Sequence, residues 1–400
     1  MSAHRPEVAD VFREYGAKYQ EVYECPASQQ RILRDLVRCR TPALGGHKYQ
    51  CDRCGHQEIA YNSCRNRHCP KCRAQARAQW LEERERDLLP VPYFHVVFTL
   101  PDSLGPIALQ NKRRVYGLLF RAVAETLVAI ARDPQHLGAE IGFLAVLHTW
   151  GQNLHHHPHL HCVVPGGGLS PDGSRWIGCR EDFFLSVRVL SRLFRGKFLA
   201  LLQDARDHGK LTLTGSLELL ADAPSWAAFL GSLRNQEWVV YAKPPFGGPR
   251  QVLKYLARYT HRVAISNQRL VAVDSGQVSF RWKDYARGNQ ERIMTLDAVE
   301  FIRRFLLHAL PTGFQRLRHF GFLANRVRRE KLLRCRQLLG QIQTLPPDTG
   351  DADAVAPAGA DASDDTCPSC KIGRMHLVET LEPFAADELP APEPALCDTS

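Results

Sequence analysis

Phe143-Leu-Ala-Val-Leu-His-Thr-Trp-Gly-Gln-Asn-Leu-His-His-His-Pro-His-Leu-His-Cys-Val-Val-Pro165 reads as two strands joined by a short turn. Phe143 to Trp150 is apolar and β-prone, Gly151 to Asn153 breaks it, and His159 to Val164 resumes strand character. Side chains alternate faces along a strand, so His159 and His161 project together while Leu160 turns to the other side. Two imidazoles so spaced can grip one divalent cation. If the strands pair antiparallel, His148 supplies a third nitrogen and leaves positions open for water and a substrate oxygen. A single histidine on a strand is ordinarily a satisfied core or surface residue. Five histidines within seven positions, with His148 before them and Pro158 fixing the entry of the second strand, favour a metal centre.

A second chemical element lies in Arg250-Gln-Val-Leu-Lys-Tyr-Leu-Ala-Arg-Tyr-Thr-His261, where Tyr255 and Tyr259 fall four apart in a helical pattern. That spacing puts both phenols on one helix face, about 6 Å apart at their roots. A phenol with a pKa near ~10 is scarcely ionised at neutral pH, so as a nucleophile it needs a base or a polarised electrophile. A metal polarising a phosphate oxygen provides the latter.

Cys51-Asp-Arg-Cys54 and Cys69-Pro-Lys-Cys72 form C-x2-C-x14-C-x2-C, a spacing that reads as one tetrahedral Zn2+ held by Cys51, Cys54, Cys69 and Cys72. Cys64, His47 or His68 could replace one ligand. A closed four-thiolate site is structural, so this zinc is distinct from the catalytic metal. The arginines and lysines around it, from Arg53 to Arg77, suit contact with DNA, although an architectural ribbon would carry them as well.

At these residues the chain resembles the HUH single-strand endonucleases with two tyrosines. Among these, it is similar to the rolling-circle transposases of the insertion sequence 91 group. The resemblance covers most of the chain: Ser63 to Cys72, Tyr93-Phe-His-Val-Val-Phe-Thr-Leu-Pro101, Leu147 to Gln152, His157-Pro-His-Leu-His161 and Tyr255-Leu-Ala-Arg-Tyr259. It implies an α+β fold, in which a helical and zinc-ribbon-like N-terminal domain precedes an HUH-type catalytic domain with a central antiparallel sheet flanked by helices. It implies a metal on His159 and His161, with His148 at the offset where related relaxases place their third ligand. Tyr255 or Tyr259 would attack a DNA phosphodiester, leaving a 5′-phosphotyrosine and a free 3′-hydroxyl. Oxygen chemistry on phosphate favours Mg2+ or Mn2+ there, although imidazoles would also accept zinc, cobalt or nickel. The partner implied is DNA, as the single-stranded ends of a mobile element. A plasmid replication initiator or relaxase would use the same chemistry, and a zinc-ribbon DNA-binding regulator would need none of it.

Composition agrees with a polyanion partner. The 400 residues carry a formal charge of +10. Pro346 to Ser400 holds twelve acidic residues against Lys371 and Arg374, so the first 345 residues carry +20. There is no run of ~18 apolar residues to span a membrane. The N-terminus lacks the apolar stretch of a secretion signal, so the expected location is cytoplasmic, with thirteen cysteines kept reduced.

The expected organisation is a helical and zinc-binding DNA-recognition domain at 1–90, a catalytic domain at 91–343, a Pro/Ala/Asp-rich linker at 344–366 and an acidic tail at 367–400. Helices are expected over much of 5–40, with Ser28 as an N-cap, and over 74–88, 111–131, 187–207, 250–261 and 296–307. A basic helix is expected over 319–339. Gly166-Gly-Gly168 reads as a turn, and Asp274-Ser-Gly276 as the turn of a hairpin. Cys367-Pro-Ser-Cys370 is half of a zinc ribbon that Cys397, Cys335 or a second chain would have to complete.

Overall fold

Alternation of apolar residues builds the central sheet. A computed structural model describes residues 5–72, 87–180, 185–243, 264–284, 288, 290–340 and 365–384. The chain divides into two compact units, one formed by residues 1–73 and 346–400 and the other by 74–345. The first boundary thus falls earlier than the expected 90/91, and the Cys367 segment belongs to the N-terminal unit rather than to a separate tail.

The first unit starts with α1 (Val8–Val22) and α2 (Ala27–Arg38). Val8, Val11, Phe12 and Tyr19 of α1 and Ile32, Leu33 and Leu36 of α2 are buried, at the 3–4 spacing of an amphipathic pair. Pro26, not Ser28, occupies the N-cap of α2. A three-stranded sheet follows, from β1 (Gly46–Cys51), β2 (Gln57–Tyr61) and a strand from the far end of the chain, Met375–Leu381. That last strand lies antiparallel to β1, with Cys51 opposite Met375.

In the second unit, β3 (Tyr93–Thr99) leads to α3 (Gly105–Gln110) and the long α4 (Lys112–Arg132). The histidine hairpin is β4 (Gly142–Trp150) and β5 (His156–Pro165), which starts three residues before the expected His159. Next come β6 (Gly167–Leu169), β7 (Trp176–Gly178), α5 (Val187–Asp207), α6 (Ala223–Asn235) and β8 (Val240–Lys243). The hairpin β9 (Leu270–Asp274) and β10 (Gln277–Asp284) is extended by β11 (Gln290–Asp297). Then follow α7 (Ala298–Leu307), β12 (Leu317–Gly321) and α8 (Arg328–Leu338). The C-terminal strand of the first unit is β13 (Met375–Leu381). The fold is α+β with antiparallel sheets, as expected.

The main sheet has the order β12-β4-β5-β3-β8, with every neighbouring pair antiparallel. One face is the apolar core: Phe94, Val96, Phe98, Phe143, Ala145, Leu147, Leu160 and Cys162 pack with buried side chains of α4, α5 and α6. On the opposite face, Leu144, Val146 and Val163 meet Leu332 and Cys335 of α8. The expected basic helix over 319–339 is therefore a strand and then a helix. The strand ends at Gly321, whose φ of +60° and closeness to the Ile141 carbonyl exclude a side chain. The glycine triplet is not a free turn either. A Cβ on Gly168 would sit 2.4 Å from the Glu140 carbonyl oxygen, and Gly167 and Gly168 belong to a strand paired with β7. Among the described residues, no helix is long and apolar enough to cross a membrane.

Candidate metal centres

Strand register decides which histidines meet. His148 of β4 stands directly opposite His159 of β5, and Val146 opposite His161, so all three histidines share a face. Their ring centroids lie 5.4 Å (148–159), 4.5 Å (148–161) and 4.9 Å (159–161) apart. One nitrogen from each lies within 4.8 Å of the other two. His148 is 2% and His161 6% exposed, so both rings are taken from water.

Neighbouring groups fix the tautomers a metal needs. The Nδ1–H of His159 donates to the His157 carbonyl at 2.6 Å, which leaves Nε2 with its lone pair for an ion. Burial pushes the His159 pKa down to about 4, so the ring is neutral at pH 7. His161 meets His95 of β3, Nδ1 to Nε2, at 2.8 Å with the rings stacked 5.0 Å apart. A His161 that ligates through Nε2 carries its proton on Nδ1 and donates it to His95. The rings of His148 and Trp150 stack at 4.8 Å. The donor set thus fits one divalent ion that three imidazole nitrogens would hold.

The turn between β4 and β5 is held from outside the hairpin. His308, just after α7, donates from Nε2 to the Leu154 carbonyl (3.1 Å) and accepts from Thr149 Oγ1 (3.2 Å) at Nδ1. Arg304 Nη1 reaches the Asn153 carbonyl at 3.4 Å, and Arg269 also donates to the Gln152 carbonyl. His156 is used differently from its neighbours: its Nε2 lies 2.8 Å from the Tyr116 hydroxyl. Of the histidine run, then, His159 and His161 join His148, while His156 binds the helix side and His157 meets Asp102 at 3.0 Å.

His95, His308 and Trp150 were not singled out from sequence. For His95 a signal exists, because Tyr93-Phe-His-Val-Val-Phe-Thr99 alternates and the register puts His95, Val97 and Thr99 on the face of His161 and His159. On that face β8 contributes Tyr241 opposite Val97 and Lys243 opposite His95. Tyr255 and Tyr259 follow β8 and lie outside the described residues, as does the expected helix at 74–88 apart from its last residues.

The cysteines correct the sequence reading. Cys51, Cys54, Cys69 and Cys72 do not form one site. The described thiols form two groups, Cys39 with Cys64, Cys69 and Cys72, and Cys51 with Cys54, Cys367 and Cys370. In the first group Sγ separations are 3.4 Å (39–72), 3.5 Å (39–69) and 3.6 Å (64–72). In the second they are 3.8 Å (51–370) and 3.6 Å (54–367). A tetrahedral ion with Zn–S bonds of about 2.3 Å spaces its sulfurs about 3.8 Å apart, whereas a disulfide would bring two of them to about 2.05 Å. The reason for the regrouping is the β1–β13 pairing. It carries the Cys367 knuckle to the end of β1, where Cys51 sits, and leaves Cys69 and Cys72 to Cys39 and Cys64. Of the substitutes foreseen, Cys64 joins a group while His47 and His68 do not, and Cys39 at the end of α2 was not foreseen.

Comparison with known proteins follows the same division. A family profile described as "Putative transposase" matches residues 142–331, and one described as "Transposase zinc-binding domain" matches residues 11–100. The chain is 56% identical over 386 residues to "Putative transposase y4qJ" of Sinorhizobium fredii (strain NBRC 101917 / NGR234), covering 96% of this chain and 97% of that one. It is 30% identical over 298 residues to the transposase for insertion sequence element IS801 of Pseudomonas savastanoi pv. phaseolicola, covering 73% and 69% respectively. Among solved structures, the conjugative relaxase TrwC in complex with oriT DNA is 15% identical with TM-scores of 0.22 (metal-bound) and 0.23 (metal-free). Each alignment covers 42% of this chain, and 70% and 71% of the relaxase.

Proposed function

The chain belongs to the insertion sequence 91-type transposases that carry an N-terminal zinc-binding domain, and from that premise we propose how it handles DNA. It cleaves single-stranded DNA at the end of its mobile element and rejoins it, through a tyrosine–DNA bond. The observation that carries this reading is the His148, His159 and His161 cluster on one sheet face. A divalent ion there, Mg2+ or Mn2+, would supply charge to the scissile phosphate. His159 and His161 hold their lone pairs toward that position because the His157 carbonyl and His95 take up their Nδ1 sides. Cys39, Cys64, Cys69 and Cys72 would hold a structural zinc in the N-terminal unit.

Tyr255 or Tyr259 serves as the nucleophile. Its phenolic oxygen forms a bond to phosphorus, its proton goes to solvent or base, and the 3′-oxygen leaves as a hydroxyl. One phosphodiester is exchanged for another, so the 5′-phosphotyrosine keeps the bond energy for rejoining. The second tyrosine accepts the other strand during transfer. The 5′-end needs single-stranded DNA threaded past the histidine face. The +20 charge of the first 345 residues supplies the attraction to it.

Incubation with single-stranded oligonucleotides and Mn2+ tests this. Wild type should yield a covalent adduct, with the peptide holding the nucleotide mapping to 250–261. Tyr255→Phe and Tyr259→Phe should each keep some nicking and lose transposition, and the double variant should form no adduct. An adduct from the double variant would move the nucleophile elsewhere, with Tyr241 on the histidine face next in line.

A further inference from the structure

We propose that Cys51, Cys54, Cys367 and Cys370 form a second zinc site, one that fastens the C-terminal segment 365–384 onto the N-terminal unit. Two of its ligands lie outside the residues matched by the zinc-binding profile. The two knuckles are built alike. In each, the residue after the second cysteine has a left-handed backbone, Gly55 at φ +71° and Lys371 at φ +61°. In each, that residue's N–H returns to the carbonyl of the first cysteine, Gly55 to Cys51 at 3.2 Å and Lys371 to Cys367 at 3.0 Å. Both first cysteines also donate their own N–H, Cys51 to the His56 carbonyl at 2.9 Å and Cys367 to the Gly373 carbonyl at 2.7 Å. Backbone donors reach the sulfurs: Arg53 N–H lies 3.4 Å from Cys51 Sγ, and Gly373 N–H 3.3 Å from Cys370 Sγ. Such donors stabilise thiolates.

The join between the knuckles is tight and leaves no room to slide. A Cβ on Gly373 would meet Cys51 Sγ at 2.4 Å. Asp52 donates its N–H to the Arg374 carbonyl at 3.1 Å and accepts the Arg374 N–H on Oδ1 at 2.8 Å. Beyond its ladder with β1 and the Lys48–Glu379 ion pair, β13 has little apolar burial to hold it. Leu377 and Val378 are 54% and 52% exposed, and Ile372 and Phe384 also face solvent. A strand at a sheet edge with its apolar side chains in water gains little from burial. Four thiols gathered at the spacing of a tetrahedral ion are then what secures the segment, and zinc is the ion for a closed four-sulfur site.

Native mass spectrometry and elemental analysis of the full-length protein should find two zinc ions per chain. Cys367→Ser with Cys370→Ser should reduce this to one. Hydrogen exchange of β13 should then quicken at least tenfold, while α1 and α2 keep their protection. Cys397→Ser should leave both ions bound. One zinc in wild type, two in the double variant, or iron in place of zinc would overturn the proposal. Because the wild-type count needs no variant to fold, a poorly folding double variant does not decide the matter.

Discussion

The histidine face and the thiol groups are both candidate metal centres, and the chain assembles them in opposite ways. His148, His159 and His161 come from one hairpin, positioned by the ladder between two adjacent strands that are buried on both faces. Cys51 meets Cys370 across 319 positions, on a three-stranded sheet whose end strands are mostly exposed. In the first case the fold makes the site and an ion adds chemistry. In the second an ion makes the fold, because little apolar burial is available without it.

Removing metal should therefore divide the molecule, and this is the largest effect expected. Apparent zinc binding energies of about 10–16 kcal/mol at structural sites are folding energy. A strong chelator, or Cys69→Ser, should abolish exchange protection in the N-terminal unit. The sheet carrying β3, β4 and β5 should stay protected. Loss of protection in both units together, or in neither, would end the contrast.

The second effect concerns rate, not folding. His159→Ala or His161→Ala should lower single-strand cleavage by roughly 10³-fold or more, about 4 kcal/mol. Circular dichroism and most DNA affinity should stay as in wild type. His95→Gln should be milder, with about 10–100-fold weaker metal binding, the usual cost of losing a group that orients a ligand. Rates in His159→Ala equal to wild type would remove the metal from the mechanism. A silent His95→Gln would show that the His95 ring is not needed to orient His161.

How far the sequence disclosed these centres follows from the same difference. Alternation over 143–164 is local, so the strands, their shared face and the His148–His159–His161 set were readable from spacing, and the helix at 187–207 was read to the residue. C-x2-C spacing tells that two thiols turn to one point and is silent about which other pair joins them. The unmatched Cys367 knuckle was the clue, and Cys39 offered none. β11 was missed because its exposed and half-buried residues alternate between charged and apolar types without a clear inner face. β12 was missed because Arg318 and His319 read as part of a basic run, although they pair with Ala145 and Leu144. The two tyrosines were singled out from helical spacing, and no described residue bears on them.

Acid should separate the units by slope. Burial pushes the pKa of His156 and of His308 down to about 3, and each is neutral when folded. An unfolded histidine takes up a proton near ~6.5, so this stability is complete above that pH and is lost as pH falls toward 3. Between pH 7 and pH 5 each should cost the second unit about 1–2 kcal/mol. Thermal unfolding across that range measures the slope, and His308→Gln should flatten it. An unchanged slope in that variant would mean that His308 titrates normally in the folded protein.

The smallest effect compares the two halves of the second thiol group. Gly55 and Lys371 occupy equivalent left-handed positions, at φ +71° and +61°. Around Gly55 a Cβ would find its nearest neighbour, Gln50 Nε2, at 4.0 Å, so only backbone strain opposes a side chain. A left-handed non-glycine residue costs roughly 1–2 kcal/mol, and alanine recovers part of this by restricting the unfolded chain. Gly55→Ala should thus destabilise the zinc-loaded N-terminal unit by about 1 kcal/mol. Lys371→Gly relieves similar strain, but the freer unfolded chain takes back about 0.4–1 kcal/mol, so the gain should be about 1 kcal/mol or less. Urea unfolding with zinc present would measure both. If the two knuckles share one ion, both changes shift one cooperative transition. Separate transitions for the Cys51 and Cys367 segments would show that no common ion joins them.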